Sequence, residues 1–424
     1  MEINESSLSV FYLSKLLGLA PISIRREPKG VIEIRRSILL SACSAALGLT
    51  LVVLSIEGLL YDVNSEVPLR QSFRMNTSTS KVVTAFDVTV VVLSSAAGMG
   101  CGLFSVKPTQ DLNSRLRKFD AEMHSFSNFK RDRIVARLLA TIPLIITAVL
   151  IGFDIWTWLL QVEIGPNKSR KTNIEWYSPF YFLYFIMMGF HVLFANTAFG
   201  LGRRFRRLNE TLRSHYLTDK KVYGVMKNHS NSIRITPGNT MSLHQSIQHL
   251  QSESMNKENL GKTRVCLLRS LADHHESLGK CVQIFSHTYG TAVLFILVSC
   301  LLHVVATSYF LFVALLNRNA TGYVWGQALW ISLHIMRLLL VVEPCHIATR
   351  ESKKTIQIVS EIERRTNEPI LVEEIKKFWQ QLLVIDVEFS ALGLCRINRN
   401  ILTSLSSAVA TYLVILIQFQ KSGG

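Results

Sequence analysis

Asp154 and Trp158 stand four residues apart in GFDIWTWLLQ, Thr307 and Tyr309 two apart in HVVATSYF, and Gln327, Trp330 and His334 recur along YVWGQALWISLHIM. All of them interrupt stretches that are otherwise apolar. Aromatic faces that stack on C–H surfaces, joined by a few convergent donors and acceptors, hold a small polyhydroxy compound such as a sugar in a preformed pocket. On helices, Asp154 and Trp158 share one face, with Trp156 on another, and Gln327, Trp330 and His334 share one stripe. An interfacial aromatic belt with helix–helix hydrogen bonds would use the same residue types, and composition leaves both readings open.

A second set lies at the end of the chain. Along NILTSLSSAVATYLVILIQFQ, Thr403, Ser407, Thr411 and Ile415 follow i, i+4 spacing, and the stripe closes near Gln418 and Phe419. One face is hydroxyl-rich at first, then apolar, then closed by an amide and an aromatic ring. Four copies around an axis would line a water-filled path with a hydrophobic constriction that gates by dewetting. A lone subunit offers no such path, and ordinary small-residue packing has the same period.

The elements that must position these residues are membrane spans. The chain has 424 residues, 49% of them hydrophobic and 18% charged, with a mean hydropathy of +0.27, too apolar for an ordinary soluble enzyme. Seven stretches are long and apolar enough to cross a bilayer as helix: 37–61, 82–104, 138–160, 177–201, 291–315, 324–343 and 401–420. The N-terminus has no basic leader ahead of an uninterrupted apolar core, so no signal peptide is expected.

The net charge of +16 is not the footprint of a nucleic-acid partner. Of 46 Lys and Arg, 37 fall before the first span or in the loops that share its side. This bias places the N-terminus in the cytoplasm and the C-terminus outside, the reverse of a G-protein-coupled receptor. No cysteine lies in an outer loop, so no extracellular disulfide is expected. Sequons occur in the outer loops at Asn76, Asn167 and Asn319 but also at Asn4, Asn209 and Asn228, which the topology places inside.

Motifs for enzymatic chemistry, for a metal and for a cofactor are not found. There is no HExxH, CxxC pair or GxSxG, and NKENLGKT has Asn256 where a phosphate loop begins with glycine. His274 and His275 adjoin and face different sides of a helix, which disfavours a shared metal. GMGCG, at Gly98, Gly100 and Gly102, reads as close helix packing. Arg337 within span six calls for a carboxylate or water, with a structural ion pair favoured over a transport relay. Asp87 and Glu57 are hard to place, Glu343 is at a cytoplasmic span end, and His191, Asn196 and His303 read as satisfied bundle residues.

The expected organisation is a cytoplasmic N-terminal segment (1–36), spans one to four (37–201), cytoplasmic helix extensions (202–290) with a mobile loop at 218–262, spans five and six (291–343), cytoplasmic anchor helices (344–400) and the last span (401–420). VFYLSKLLGLAP, with Val10, Leu13 and Leu17 at helical spacing, either lies along the membrane or packs under the bundle. Order is expected to return at CLLRSLADHHESLGKCVQIFSHTYG.

TYLVILIQF, with Thr411, Tyr412, Gln418 and Phe419, resembles the TYhhhhhQF signature of insect gustatory receptors, and FSALGLCRINRNILTSL resembles the run into their last span. Leu392 stands where relatives often have Cys or a smaller residue. SLADHHESLGKCV, VLFILVSCLLH and VVEPCHIATRESKKTIQIVSEIER resemble the fructose-receptor branch, and the resemblance covers nearly the whole chain apart from 218–262.

That resemblance implies an all-α fold of seven transmembrane helices, assembled as a tetramer around the last helix, and a nonselective cation channel opened by a sugar. Gln418 and Phe419 would form the outer gate, and Asp154, Trp158, Thr307, Tyr309, Gln327, Trp330 and His334 would line the sugar pocket in the outer half. Fructose, permeant cations, membrane lipid and further copies of the chain are the partners implied, in the plasma membrane of sensory or nutrient-sensing neurons. A co-receptor subunit without a ligand of its own, or a sugar transporter, is the alternative. A transporter should show an internal repeat of spans, and none is found.

Overall fold

The computed structural model describes residues 1–26, 32–64, 78–123, 129–163, 171–217, 243–316 and 321–422. In chain order the described elements are α1 (Leu8–Leu16), β1 (Ile22–Arg26), β2 (Ile32–Arg36), α2 (Ile38–Asn64), α3 (Ser78–Phe104), α4 (Val106–Glu122), α5 (Phe129–Glu163), α6 (Lys171–Tyr216), α7 (Leu243–Leu316), α8 (Thr321–Arg365), α9 (Pro369–Val384), β3 (Ser390–Ala391), β4 (Cys395–Arg396) and α10 (Asn400–Ser422). Seven helices, α2, α3, α5, α6, α7, α8 and α10, are long and apolar enough to cross a membrane. Each expected span falls on one of them.

Helices α6, α7 and α8 run on past their apolar stretches into one layer, through charged amphipathic continuations that include RRFRRLNETLRSHYL in α6 and ATRESKKTIQIVSEIERR in α8. There α4 and α9 join them; α4 was not legible as an element in advance. Pro369 opens α9, where its missing N–H has no helical partner to lose. Two short antiparallel ribbons, β1 with β2 and β3 with β4, add the described strands to an otherwise helical chain. Of the polar 218–262 segment, 218–242 lie outside the described residues, whereas α7 already begins at Leu243, earlier than Cys266, where order was expected to return.

Ion pairs hold this layer. Arg204 donates to Glu2 at 2.9 Å and to Asp120 at 2.5 Å, and Arg207 donates to Asp132 at 2.5 Å. Burial opposes the charge on Arg204, but the carboxylates of Glu2 and Asp120 outweigh it and hold its pKa above the ordinary value. Arg269 makes a two-pronged bond to Glu374 at 2.7 and 2.9 Å, which pins α9 to α7.

Helix α1 packs under the bundle. Val10, Phe11 and Ser14 are buried, and Leu17 leads into a turn against α3 and α6. Gly102 is required at that turn, because a Cβ there would overlap the Leu19 carbonyl. His274 and His275 diverge as expected: one meets Glu122 at 2.7 Å and the other Ser352 at 3.1 Å. Asn209 is buried, with its amide bonded to the Glu351 carbonyl at 2.8 Å and to Thr355 at 2.7 Å, so its sequon has no room for a glycan. The sequons at Asn76, Asn167, Asn228 and Asn319 lie outside the described residues.

Candidate ligand site and gate helix

Asp154, Thr307 and Trp330 lie on α5, α7 and α8, each about 14 Å along the axis from the end taken as outer, at Glu163, Leu316 and Thr321. The three helices therefore present polar groups at one depth. Gln327, Trp330 and His334 are all buried on a common stripe of α8, and the stripe continues to Arg337. The Trp330 and His334 rings stack with centroids 5.8 Å apart.

Helix α6 closes the site from the opposite side, a contribution the sequence reading missed. Tyr184 places its ring 5.1 Å from Trp330, and Tyr181, one turn outward, donates its hydroxyl to the Asp154 carboxylate. The signal was present in YSPFYFLYF, where Tyr181 and Tyr184 follow an i, i+3 interval. Thr307 is buried, and its hydroxyl donates to the His303 carbonyl of its own helix at 2.5 Å.

Arg337, His334, His303 and Ser299 form the floor. Arg337 has no exposed surface, and it donates to His334 Nδ1 at 3.0 Å, to Ser299 Oγ at 3.1 Å and to Met187 Sδ at 2.8 Å. The expected structural ion pair is not what holds it: among the described residues no carboxylate lies within salt-bridge distance of its guanidinium. A ring nitrogen, a hydroxyl and a sulfur share the donors instead, which leaves the cation in a polar but uncharged cradle. His303 stacks on His334 at 4.6 Å and lies 3.4 Å from Asp87 on α3. Asp87 and His303, isolated readings in the sequence, thus belong to one buried cluster.

Some polar atoms in this cluster are unmet. Among the described residues, Gln327 Oε1, Trp330 Nε1, Arg337 Nε and His191 Nε2 have no hydrogen-bond partner. His191 Nδ1 faces the Met187 carbonyl at 2.6 Å, which puts its proton there and makes Nε2 an acceptor. Two acceptors and two donors, all buried, are costly to leave unpaired.

Tyr309 does not join this set. It has no exposed surface and belongs to a second cluster with Val83, Ala306 and Phe310, against which Leu413 and Leu416 of α10 pack. The side chain of Trp158 lies outside the described residues.

Helix α10 packs within the protomer on α7, yet none of its most apolar stretch is buried. The stripe Thr403, Ser407, Thr411, Ile415 and Gln418 is exposed along its whole length, and so are Tyr412 and Phe419. Its hydroxyls are met by its own backbone: Thr403 donates to Asn400 at 2.8 Å and Thr411 to Ser407 at 3.1 Å. Such a helix can face water on its hydroxyl side without further partners. A cavity of about 270 Å³ separates its outer half from α3 and α7, lined by Phe86, Asp87, Tyr412, Ile415 and Phe419 among others.

A family model described as 7tm Chemosensory receptor matches residues 8–423. Gustatory receptor for sugar taste 43a of Drosophila melanogaster is 52% identical over 431 residues, which cover 100% of both chains. Gustatory and pheromone receptor 32a of the same organism is 36% identical over 92 residues, 22% of this chain and 20% of that protein. The solved insect olfactory receptor OR5 from Machilis hrabei superposes with a TM-score of 0.62, covering 96% of both chains at 14% identity. Its complex with eugenol superposes with a TM-score of 0.64, covering 97% of both chains at 13% identity, and these two likenesses bear on the fold alone.

Proposed function

We propose that this chain, which belongs to the 7tm chemosensory receptor family, is a sugar-gated, nonselective cation channel opened by fructose and assembled as a homotetramer around α10. It is a chemosensory receptor of the multi-pass membrane class. The full-length similarity to a receptor whose name specifies sugar taste supports the choice of ligand. Its site of action is the plasma membrane of sensory or nutrient-sensing neurons, with the N-terminus inside and residues 344–400 serving as a cytoplasmic anchor.

One observation carries the reading: Gln327 Oε1, Trp330 Nε1 and Arg337 Nε are buried on one stripe of α8 without partners among the described residues. A hydroxyl donates and accepts at once, so a polyol can satisfy both kinds of atom while its C–H face stacks on Trp330. Asp154 and Thr307 complete the pocket from α5 and α7, with Tyr309 facing the gate helix. Gln418 and Phe419 form the outer gate, and Thr411 and Ile415 line the path beneath it. The exposed apolar faces of α10 support the oligomer, since among the described residues of one protomer none of its most apolar stretch is buried.

Binding opens the channel only by favouring the open state over the closed one. Sugar held between α6, α7 and α8 draws α7 and α8 together, and α10, which packs on α7, moves with them. Whole-cell current from cells expressing this chain alone, with fructose, glucose and sucrose applied in turn, is the test. A cation current to fructose only is the expected result. Silence with the protein confirmed at the surface would overturn the reading.

A further inference from the structure

The root of α10 is tied to α8 just below the candidate pocket and at the opposite end of α10 from the candidate gate. Arg399, the residue before α10, donates from Nε and Nη2 to the two carboxylate oxygens of Glu343 at 2.8 and 2.9 Å. Glu343 directly precedes Pro344, the proline inside α8. Proline has no N–H to offer the Leu340 carbonyl and its ring crowds that carbonyl, so the easiest bending point of α8 lies just below the stripe that ends at Arg337.

The segment that leads to Arg399 is docked on α7. Its turn uses Leu392 and Gly393 at φ of 55° and 72°. Gly290 makes room for that turn, because a Cβ on it would lie 2.8 Å from the Leu392 nitrogen. Glu388 then accepts from Lys353 and Arg396, each at 2.9 Å. Helix α10 therefore starts from a pivot seated on α7, with a two-pronged strut reaching α8 at its hinge.

Stability does not explain the strut. The Arg399 side chain is 56% exposed and the Glu343 side chain 27%, and a pair so open to water adds little to folding. Its geometry is another matter, since a guanidinium fork on a carboxylate fixes direction as well as distance.

We infer that Glu343 and Arg399 are a positioning pair that carries bending of α8 at Pro344 to the root of α10, and so couples ligand binding to gating. The pair touches neither ligand nor gate. This rests on the reading above, in which α8 holds the sugar and α10 the gate.

The test uses the full chain and two readouts. One is the maximal fructose current per receptor at the surface; the other is the fructose concentration that half-shifts the melting temperature of the solubilised receptor, which reports binding. Glu343→Gln and Arg399→Gln are each expected to lower the maximal current about fivefold or more with the binding midpoint unchanged. The paired reversal of Glu343→Arg with Arg399→Glu should regain most of the current that either reversal alone loses. Currents equal to wild type in both neutral variants would overturn the strut, as would a paired reversal no better than its halves. Where a reversal does not reach the surface, Arg399→Lys decides: a partial loss with unchanged binding supports the strut, and wild-type current overturns it. A wild-type receptor that binds no fructose and passes no current would overturn the underlying reading, and the inference with it, whereas responsive wild type with indifferent variants overturns the inference alone.

Discussion

Arg337 donates from Nη1 to Nδ1 of His334 at 3.0 Å, and because a guanidinium can only donate, that nitrogen must be the acceptor. The His334 ring is thereby held neutral with its proton on Nε2. The stack on Trp330 and the stack on His303 both depend on that ring orientation.

Arg337→Gln removes the donor that sets the His334 tautomer, and a hydrogen bond to a charged group is worth on the order of 2 kcal/mol. The half-maximal fructose concentration should rise by about tenfold or more at similar surface expression. A dose response identical to wild type would show that Arg337 does not support the pocket.

Trp330→Ala should abolish the sugar response with the protein still at the surface. Truncating a buried ring also costs stability, about 3 kcal/mol or more, so a gentler change is needed beside it. Trp330→Phe keeps a ring against Tyr184 while removing the unmet Nε1–H together with part of the indole. It should weaken the fructose response about fivefold with a smaller loss of melting temperature than Trp330→Ala. An unaltered response in both variants would rule out the pocket assignment.

Gln418→Ala and Phe419→Ala should raise basal current while the fructose-induced melting shift is retained, because both side chains are exposed on α10 and support no core. Removing a ring from a hydrophobic constriction lowers the barrier to wetting. Unchanged basal currents in the pair would remove them from the gate.

His275 has 1% of its surface exposed and sits between the rings of Phe205 and Phe378, with centroids 5.3 and 6.2 Å away. Burial lowers its pKa from 6.5 to about 4, against the opposing pull of a hydrogen bond with Ser352. The unfolded chain takes up this proton near its ordinary value and the folded one only near the lowered value. Stability is therefore complete above the ordinary value and falls as pH drops through the window, by on the order of 3 kcal/mol at its lower end. The melting temperature of the solubilised receptor should decline across that window, and His275→Gln should flatten the decline. Equal slopes for the two proteins would count against the assignment.

Much of the architecture was legible in advance because a bilayer leaves few choices. Runs of apolar residues long enough to span must become helices. Helix α4 escaped notice because its apolar positions, Leu112, Leu116 and Phe119, are sparse among charges and become meaningful only against α7. The stripe Gln327, Trp330 and His334 was legible for a similar reason to the spans: spacing assigns residues to a face of a helix.

What faces that stripe was decided by the tertiary structure. Spacing along one helix carries no distance to another, so Tyr181 and Tyr184 of α6 went unnoticed, and Tyr309 was grouped with residues from which packing separates it. Arg337 is the clearest case. From the chain alone, a cation inside a span calls for a carboxylate or water, and an ion pair was favoured; in the fold, Ser299, His334 and Met187 take its donors. The amino-acid sequence by itself determined the spans, the charge bias that orients them and the faces on which polar groups lie, since each is a one-dimensional pattern. Only the tertiary structure decided which polar atoms meet partners and which stay open, because a hydrogen bond depends on distances between helices that no periodicity contains.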